Sequence, residues 1–176
     1  MKLLEIFRFE VKYQLSRWFT WVYFLIFLGI TTAMMMSFVD NSRNGDYLLN
    51  APIVIGAIVS LATGLLGLIV IAAVAGDAAT HDMQEGVEPL LYTSPLSKFT
   101  YLGGRFLGAF AVSALVFTAV PIALMLARFM PGLEDSLFGP FELQSYSNAY
   151  FLVVLPNTFI TTAILFVVAL LSRHAL

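Results

Sequence analysis

The chain has 176 residues, 60% of them hydrophobic and 11% charged, with a mean hydropathy of +0.89. An ordinary soluble domain carries charge on about a quarter of its residues, so this composition belongs to the membrane class and predicts an all-α polytopic protein, since lipid leaves backbone groups to be satisfied within helices. A formal net charge of -2 without a long run of one sign excludes a nucleic-acid-binding tail, and the absence of cysteine excludes disulfides, thiolate metal sites and a cysteine nucleophile.

Residues 1–17 read as an amphipathic helix. Leu3, Phe7 and Val11 recur every four residues with Leu4, Ile6 and Leu15 beside them, while Glu5, Arg8 and Lys12 share another flank. Such a helix is expected flat in the cytoplasmic headgroup region, with Arg8, Lys12 and Arg17 near anionic phosphates and Phe7 and Tyr13 reaching into the bilayer. The alternative is a simple extension of the first membrane helix. The mixed charge of this start does not fit a cleaved signal peptide.

Residues 18–39 contain no charged side chain and suffice, at about 1.5 Å per residue, to cross a hydrocarbon layer of about 30 Å. Trp18, Trp21 and Tyr23 stand at its interface end. A polar turn, Asp40 to Asp46, follows, and Pro52 suits the opening of a second span over 51–75. There Gly56, Ser60 and Gly64 recur every four residues, a row of small residues read as a helix-packing face. Gly104 and Gly108 at the entrance of a third span, 106–127, are read the same way. Pro121 interrupts that span. A loop rich in turn residues separates it from a fourth span over 150–171, with Pro156 near its first turn and Thr158, Thr161 and Thr162 just after.

With four spans, both termini and residues 76–105 share one side, which holds Lys2, Arg8, Lys12, Arg17, Lys98, Arg105 and Arg173 against Arg43 and Arg128 on the other. The Lys/Arg excess assigns the first side to the cytoplasm. None of the four spans holds an Asp, Glu, Lys, Arg or His, so the usual signature of a proton relay is missing. No glycine loop of the GxxxxGK[ST] type occurs, and any ATP driving the protein binds another chain.

Residues 76–105 are the one long connector dense in charge. Asp77, His81 and Glu85 fall four apart and could line one helix face as ligands of a divalent metal, which makes a membrane-embedded metal-dependent hydrolase one alternative. No HExxH accompanies them and Gly86 and Pro89 interrupt the helix, so no catalytic or metal residue is assigned. The favoured reading is a docking surface. Asp82, Glu85 and Glu88 flank an apolar patch of Leu90, Leu91 and Tyr92, with Ser94 as N-cap and Pro95 at the first position of the helix leading into the third span. A non-transporting membrane scaffold or sensor is a further alternative.

The stretch Gly86-Val87-Glu88-Pro89-Leu90-Leu91-Tyr92-Thr93-Ser94-Pro95-Leu96-Ser97, followed by Leu102-Gly103-Gly104-Arg105, resembles the cytoplasmic loop of type 2 ATP-binding cassette (ABC) permeases, and the amphipathic start is similar to the connecting helix of that family. Pro89 stands where the family commonly places an acid two residues before the Leu-Leu pair, and Met83 and Gln84 replace charged residues often seen ahead of the glycine. The resemblance implies a permease subunit of an ABC exporter in a bacterial inner membrane, working as a dimer, with Asp82, Glu85, Gly86, Glu88, Leu90, Leu91, Tyr92, Ser94 and Pro95 docking a separate cytoplasmic ATPase. ATP and Mg are then expected on that partner and no cofactor on this chain. The family usually has six spans, so the resemblance also implies that the chain is an N-terminal fragment.

Overall fold

A computed structural model of the chain describes residues 2–84 and 97–172, the side chains of residues 82–84 excepted. Among the described residues there are helices and no strands, as the composition requires. In chain order the α-helices are α1 (Lys2–Ser16), α2 (Trp18–Ser37), α3 (Val39–Arg43), α4 (Pro52–Leu61), α5 (Gly67–Gln84), α6 (Lys98–Phe117), α7 (Ala119–Leu126), α8 (Leu143–Asn148) and α9 (Leu155–Ser172). Four helical stretches are long and apolar enough to cross a membrane, Trp18–Arg43, Pro52–His81, Lys98–Phe129 and Leu143–Ser172. The chain is a multi-pass membrane protein.

The helices outrun the apolar segments that predict them. α5 continues past Ala75 to Gln84, and α6 is described from Lys98, ahead of the charge-free run that begins at residue 106. Charge at a helix end near water does not break the backbone ladder; a proline or an αL glycine does. The Oγ of Ser97 accepts a hydrogen bond from the Thr100 N–H at 3.1 Å, which satisfies one of the orphan amides at the start of α6. The Ser94–Pro95 cap expected from the sequence lies outside the described residues.

Prolines account for three of the breaks. Pro52 opens α4 behind an extended Ala51. Pro121 has no N–H for the Phe117 carbonyl, and α6 ends at Phe117, with helix resuming at Ala119. Pro156 likewise has none for Leu152, and the turn before it, Ala149–Val154, widens into a π-helix. A second π segment, Ala62–Leu66, joins α4 to α5, and the sequence carries no signal for it.

The residues cluster into two compact units. One comprises Met1–Trp21, Leu68–Leu115 and Thr158–Leu176; the other comprises Val22–Gly67 and Val116–Asn157. In the second unit α4 packs against Ala149–Val154, α8 and α7. Its core includes Phe27, Met35, Ile55, Ile58, Val116, Phe117 and Leu124, with the Phe27 and Phe117 rings edge to face at 5.0 Å. Gly67 lies under Phe117, where a Cβ would stand 2.9 Å from Cζ. Two connecting loops are joined here. The Asn50 Nδ2 donates to the carbonyls of Gly139 (3.0 Å) and Pro140 (2.9 Å), its Oδ1 accepts from the Gly139 N–H (2.7 Å), and the Leu49 N–H donates to the Leu137 carbonyl at 2.9 Å.

Gly56 and Gly64, with Ser60 between them, are the other row of small residues. A Cβ on either glycine would meet nothing within 4 Å, and Ser60 is exposed. Gly64 sits inside the π segment, where wider turns rotate the face.

Candidate functional site

In the first unit α1 is a separate helix, which answers the alternative of a continuous extension of α2. It stops at Ser16 because its last turn is capped from the following helix: Thr20 Oγ1 donates to the Gln14 carbonyl at 2.6 Å and Trp21 Nε1 to the Leu15 carbonyl at 3.0 Å. Those bonds take the orphan carbonyls that every helix end leaves.

The inward face of α1 is centred on Leu3, Phe7, Glu10 and Gln14. Glu10 and Gln14 are its buried residues, while Leu4, Phe9, Arg8 and Lys12 are exposed. This face lies on the start of α6 at two glycines. A Cβ on Gly104 would come within 2.8 Å of Ile6 Cβ, and one on Gly108 within 2.6 Å of Glu10 Cγ. Real Cβ atoms do not approach so closely, so glycine is what lets α1 reach α6. The two glycines read as a helix-packing face thus receive α1, not another span.

At that contact the Arg105 Nη1 donates to Glu10 Oε2 at 2.9 Å, with both side chains buried. Gln14 Nε2 bridges onward, donating to Glu10 Oε1 at 3.1 Å and to Asp77 Oδ2 at 2.9 Å. Asp77 Oδ1 in turn pairs with Arg17 Nη1 at 2.7 Å. The hydroxyl of Tyr13 meets His81 Nδ1 at 3.4 Å, their rings 4.8 Å apart, and Arg17 lies 5.5 Å over the Tyr13 ring. A continuous polar chain, Arg105–Glu10–Gln14–Asp77–Arg17, therefore ties α1 to the end of α5 and the beginning of α6. Each carboxylate has an arginine partner, Glu10 with Arg105 and Asp77 with Arg17, and the neutral Gln14 amide stands between the two acids, which is what makes burial tolerable.

Burial pushes the Glu10 carboxyl above its ordinary range. The Arg105 guanidinium and the Gln14 amide pull it back down but do not cancel the desolvation.

Two expectations change as a result. Arg17 pairs with the partly buried Asp77 carboxylate, a fixed opposite charge 2.7 Å away, and Tyr13 turns its hydroxyl to His81. Asp77 and His81, the candidate metal ligands, are held by α1 side chains, and among the described residues no group of three or more His, Asp or Glu is placed to hold a metal. Glu85 lies outside the described residues. So do Gly86, Glu88, Leu90, Leu91, Tyr92, Ser94 and Pro95, and the Asp82 side chain with them.

Glu10 and Gln14 were not legible as site residues, although a signal existed: both fall on the apolar stripe of the amphipathic helix, where a buried acid needs a cation. Arg105, flanked by glycines at 103, 104 and 108, was the available partner. No protein-family model, curated protein or solved structure matches the chain.

Proposed function

We propose that this chain is the membrane-spanning permease subunit of an ATP-driven exporter of the ABC type, in an inner membrane with both termini and residues 76–105 cytoplasmic. The carrying observation is the polar chain through α1, which joins Asp77 on one flank of the charged connector to Arg105 on the other. An element that must pass force from a soluble motor to membrane helices has to be braced at both ends, and α1 supplies that brace.

In this reading a separate ATPase binds ATP and Mg and closes on residues around Leu90, Leu91 and Tyr92, while this chain, paired as a dimer, opens a path alternately to each side. Shifting a two-state equilibrium from 1:99 to 99:1 needs about 5.5 kcal/mol of differential binding. Losing one partner of a buried ion pair such as Glu10–Arg105 costs about 3–5 kcal/mol, so the brace is costly to break.

The test is co-purification with an ATPase subunit from native membranes, followed by the variants Leu91→Asp and Tyr92→Ala. Both are expected to lose ATPase association while the chain still inserts and folds. Undiminished association in both variants removes the docking assignment, and absence of any ATPase partner removes the exporter reading.

A further inference from the structure

Buried threonines in membrane helices ordinarily satisfy their hydroxyls on their own backbone, as two do here. Thr63 Oγ1 donates to the Val59 carbonyl at 2.8 Å and Thr80 Oγ1 to the Gly76 carbonyl at 2.9 Å. Ser113, Thr158 and Thr162, each 0% exposed, do otherwise: among the described residues their hydroxyl oxygens have no hydrogen-bond partner.

Ser113 on α6 and Thr158 and Thr162 on α9 all lie in the first unit. α6 and α9 meet through Phe106 against Phe159 (5.3 Å) and Phe166 (5.9 Å), and through Phe110 against Phe159 (5.4 Å). Moving up α6 from Phe106 to Phe110 therefore moves back along α9, which puts Ser113 level with the first turns of α9, where Thr158 lies. Thr158, Thr162, Phe166 and Ala169 form the buried stripe of α9. In a low-dielectric interior a hydroxyl without a partner is costly, and proteins keep such groups where water or a ligand satisfies them. Three on facing helices are harder to ascribe to packing than one.

We propose that Ser113, Thr158 and Thr162 form a buried polar site on the α6–α9 face that takes a neutral hydrogen-bonding group, either water or an uncharged polar portion of a solute. Neutrality follows from the surroundings. Residues 106–127 and 150–171 contain no charged side chain, and an ion held there would have no countercharge. The aromatic rings beside the hydroxyls offer apolar contact to whatever carries the polar group. That this site lies on a transport path rests on the exporter reading; that it is polar and reachable from water does not.

The chain has no cysteine, so a single introduced thiol reports on its own surroundings. Ser113→Cys, Thr158→Cys and Thr162→Cys, in protein reconstituted into lipid vesicles, are treated with silver ion or a small charged methanethiosulfonate. Ala109→Cys and Ala169→Cys, equally buried on the same two helices, serve as controls. The three hydroxyl positions are expected to react about tenfold faster than the controls, the ratio that one satisfied hydrogen bond sustains. Reaction in plain buffer identifies water as the occupant, whereas slowing of that reaction by added glycerol, a neutral polyol, identifies an uncharged polar solute group competing for the site, and either supports the site. Equal rates at all five positions, or none at 158 and 162, overturn it. A second variant guards against misfolding: Thr158→Val with Thr162→Val, isosteric changes, is expected to slow modification of Ser113→Cys about tenfold, and an unchanged rate also overturns the proposal. Neither measurement needs an ATPase, so failure here is distinguishable from failure of the exporter reading.

Discussion

Glu10 shows how one residue can set the behaviour of a helix. Its carboxylate is fully buried against Arg105 and Gln14, so removing it takes from the buried Arg105 guanidinium the carboxylate to which Nη1 donates. Glu10→Ala is expected to lower stability by about 3–5 kcal/mol, measured as thermal unfolding of the protein in lipid vesicles, and exchanging the pair as Glu10→Arg with Arg105→Glu should recover part of the loss. A loss no larger than that of an exposed change such as Glu5→Ala would mean that the pair does not hold α1. The same burial makes a pH prediction. Because the folded carboxyl sits above its ordinary value, the folded state holds its proton more tightly than the unfolded state does. That stabilisation is complete below the ordinary carboxylate pKa and is lost as pH rises through the raised one. Thermal stability should therefore fall over that window, and Glu10→Gln, which cannot titrate, should flatten that part of the profile.

At the scale of elements, glycines decide what can approach what. Gly108→Ala would set a Cβ 2.6 Å from Glu10 Cγ, close to the root of that side chain, where little can give. A cost of about 1–3 kcal/mol is expected. Gly56→Ala meets nothing within 4 Å and gains helix propensity, so it should be neutral or stabilising by up to about 1 kcal/mol. The two substitutions compared in one unfolding assay separate a glycine needed for contact from one that is merely present; equal effects would refute the distinction. In the second unit Asn50→Ala removes three hydrogen bonds joining two loops. It should cost about 1–3 kcal/mol, read as faster amide exchange at Gly139, whose N–H loses its acceptor.

At the scale of the whole molecule the prediction concerns sidedness. The Lys and Arg distribution predicts Lys98 on the cytoplasmic side with the termini and Asn44 on the opposite side. In a chain without cysteine, Lys98→Cys should be labelled by an impermeant maleimide only from the cytosolic face and Asn44→Cys only from the other. The reverse pattern would invert the topology and remove the cytoplasmic ATPase from the proposal.

Much of this layout was legible in residue order alone. Charge-free runs at 18–39, 51–75, 106–127 and 150–171 announce four membrane-crossing helices, because a backbone in lipid has few ways to satisfy its own groups. Pro52 and Pro121 announce where a helix opens and where one bends, because proline fixes φ and has no N–H to give. These effects are local, so sequence by itself determines them. The partners of Glu10, Gln14 and Arg17 are 95, 63 and 60 positions away along the chain, and no periodicity encodes a pairing of that kind. Nor does spacing tell a glycine under α1 from one facing open space, or a threonine bonded to its own helix from Thr158 and Thr162. Those distinctions depend on which faces meet, and only the tertiary structure decides that: burial turns an ordinary surface acid into a buried ion pair, and an ordinary hydroxyl into an unsatisfied one.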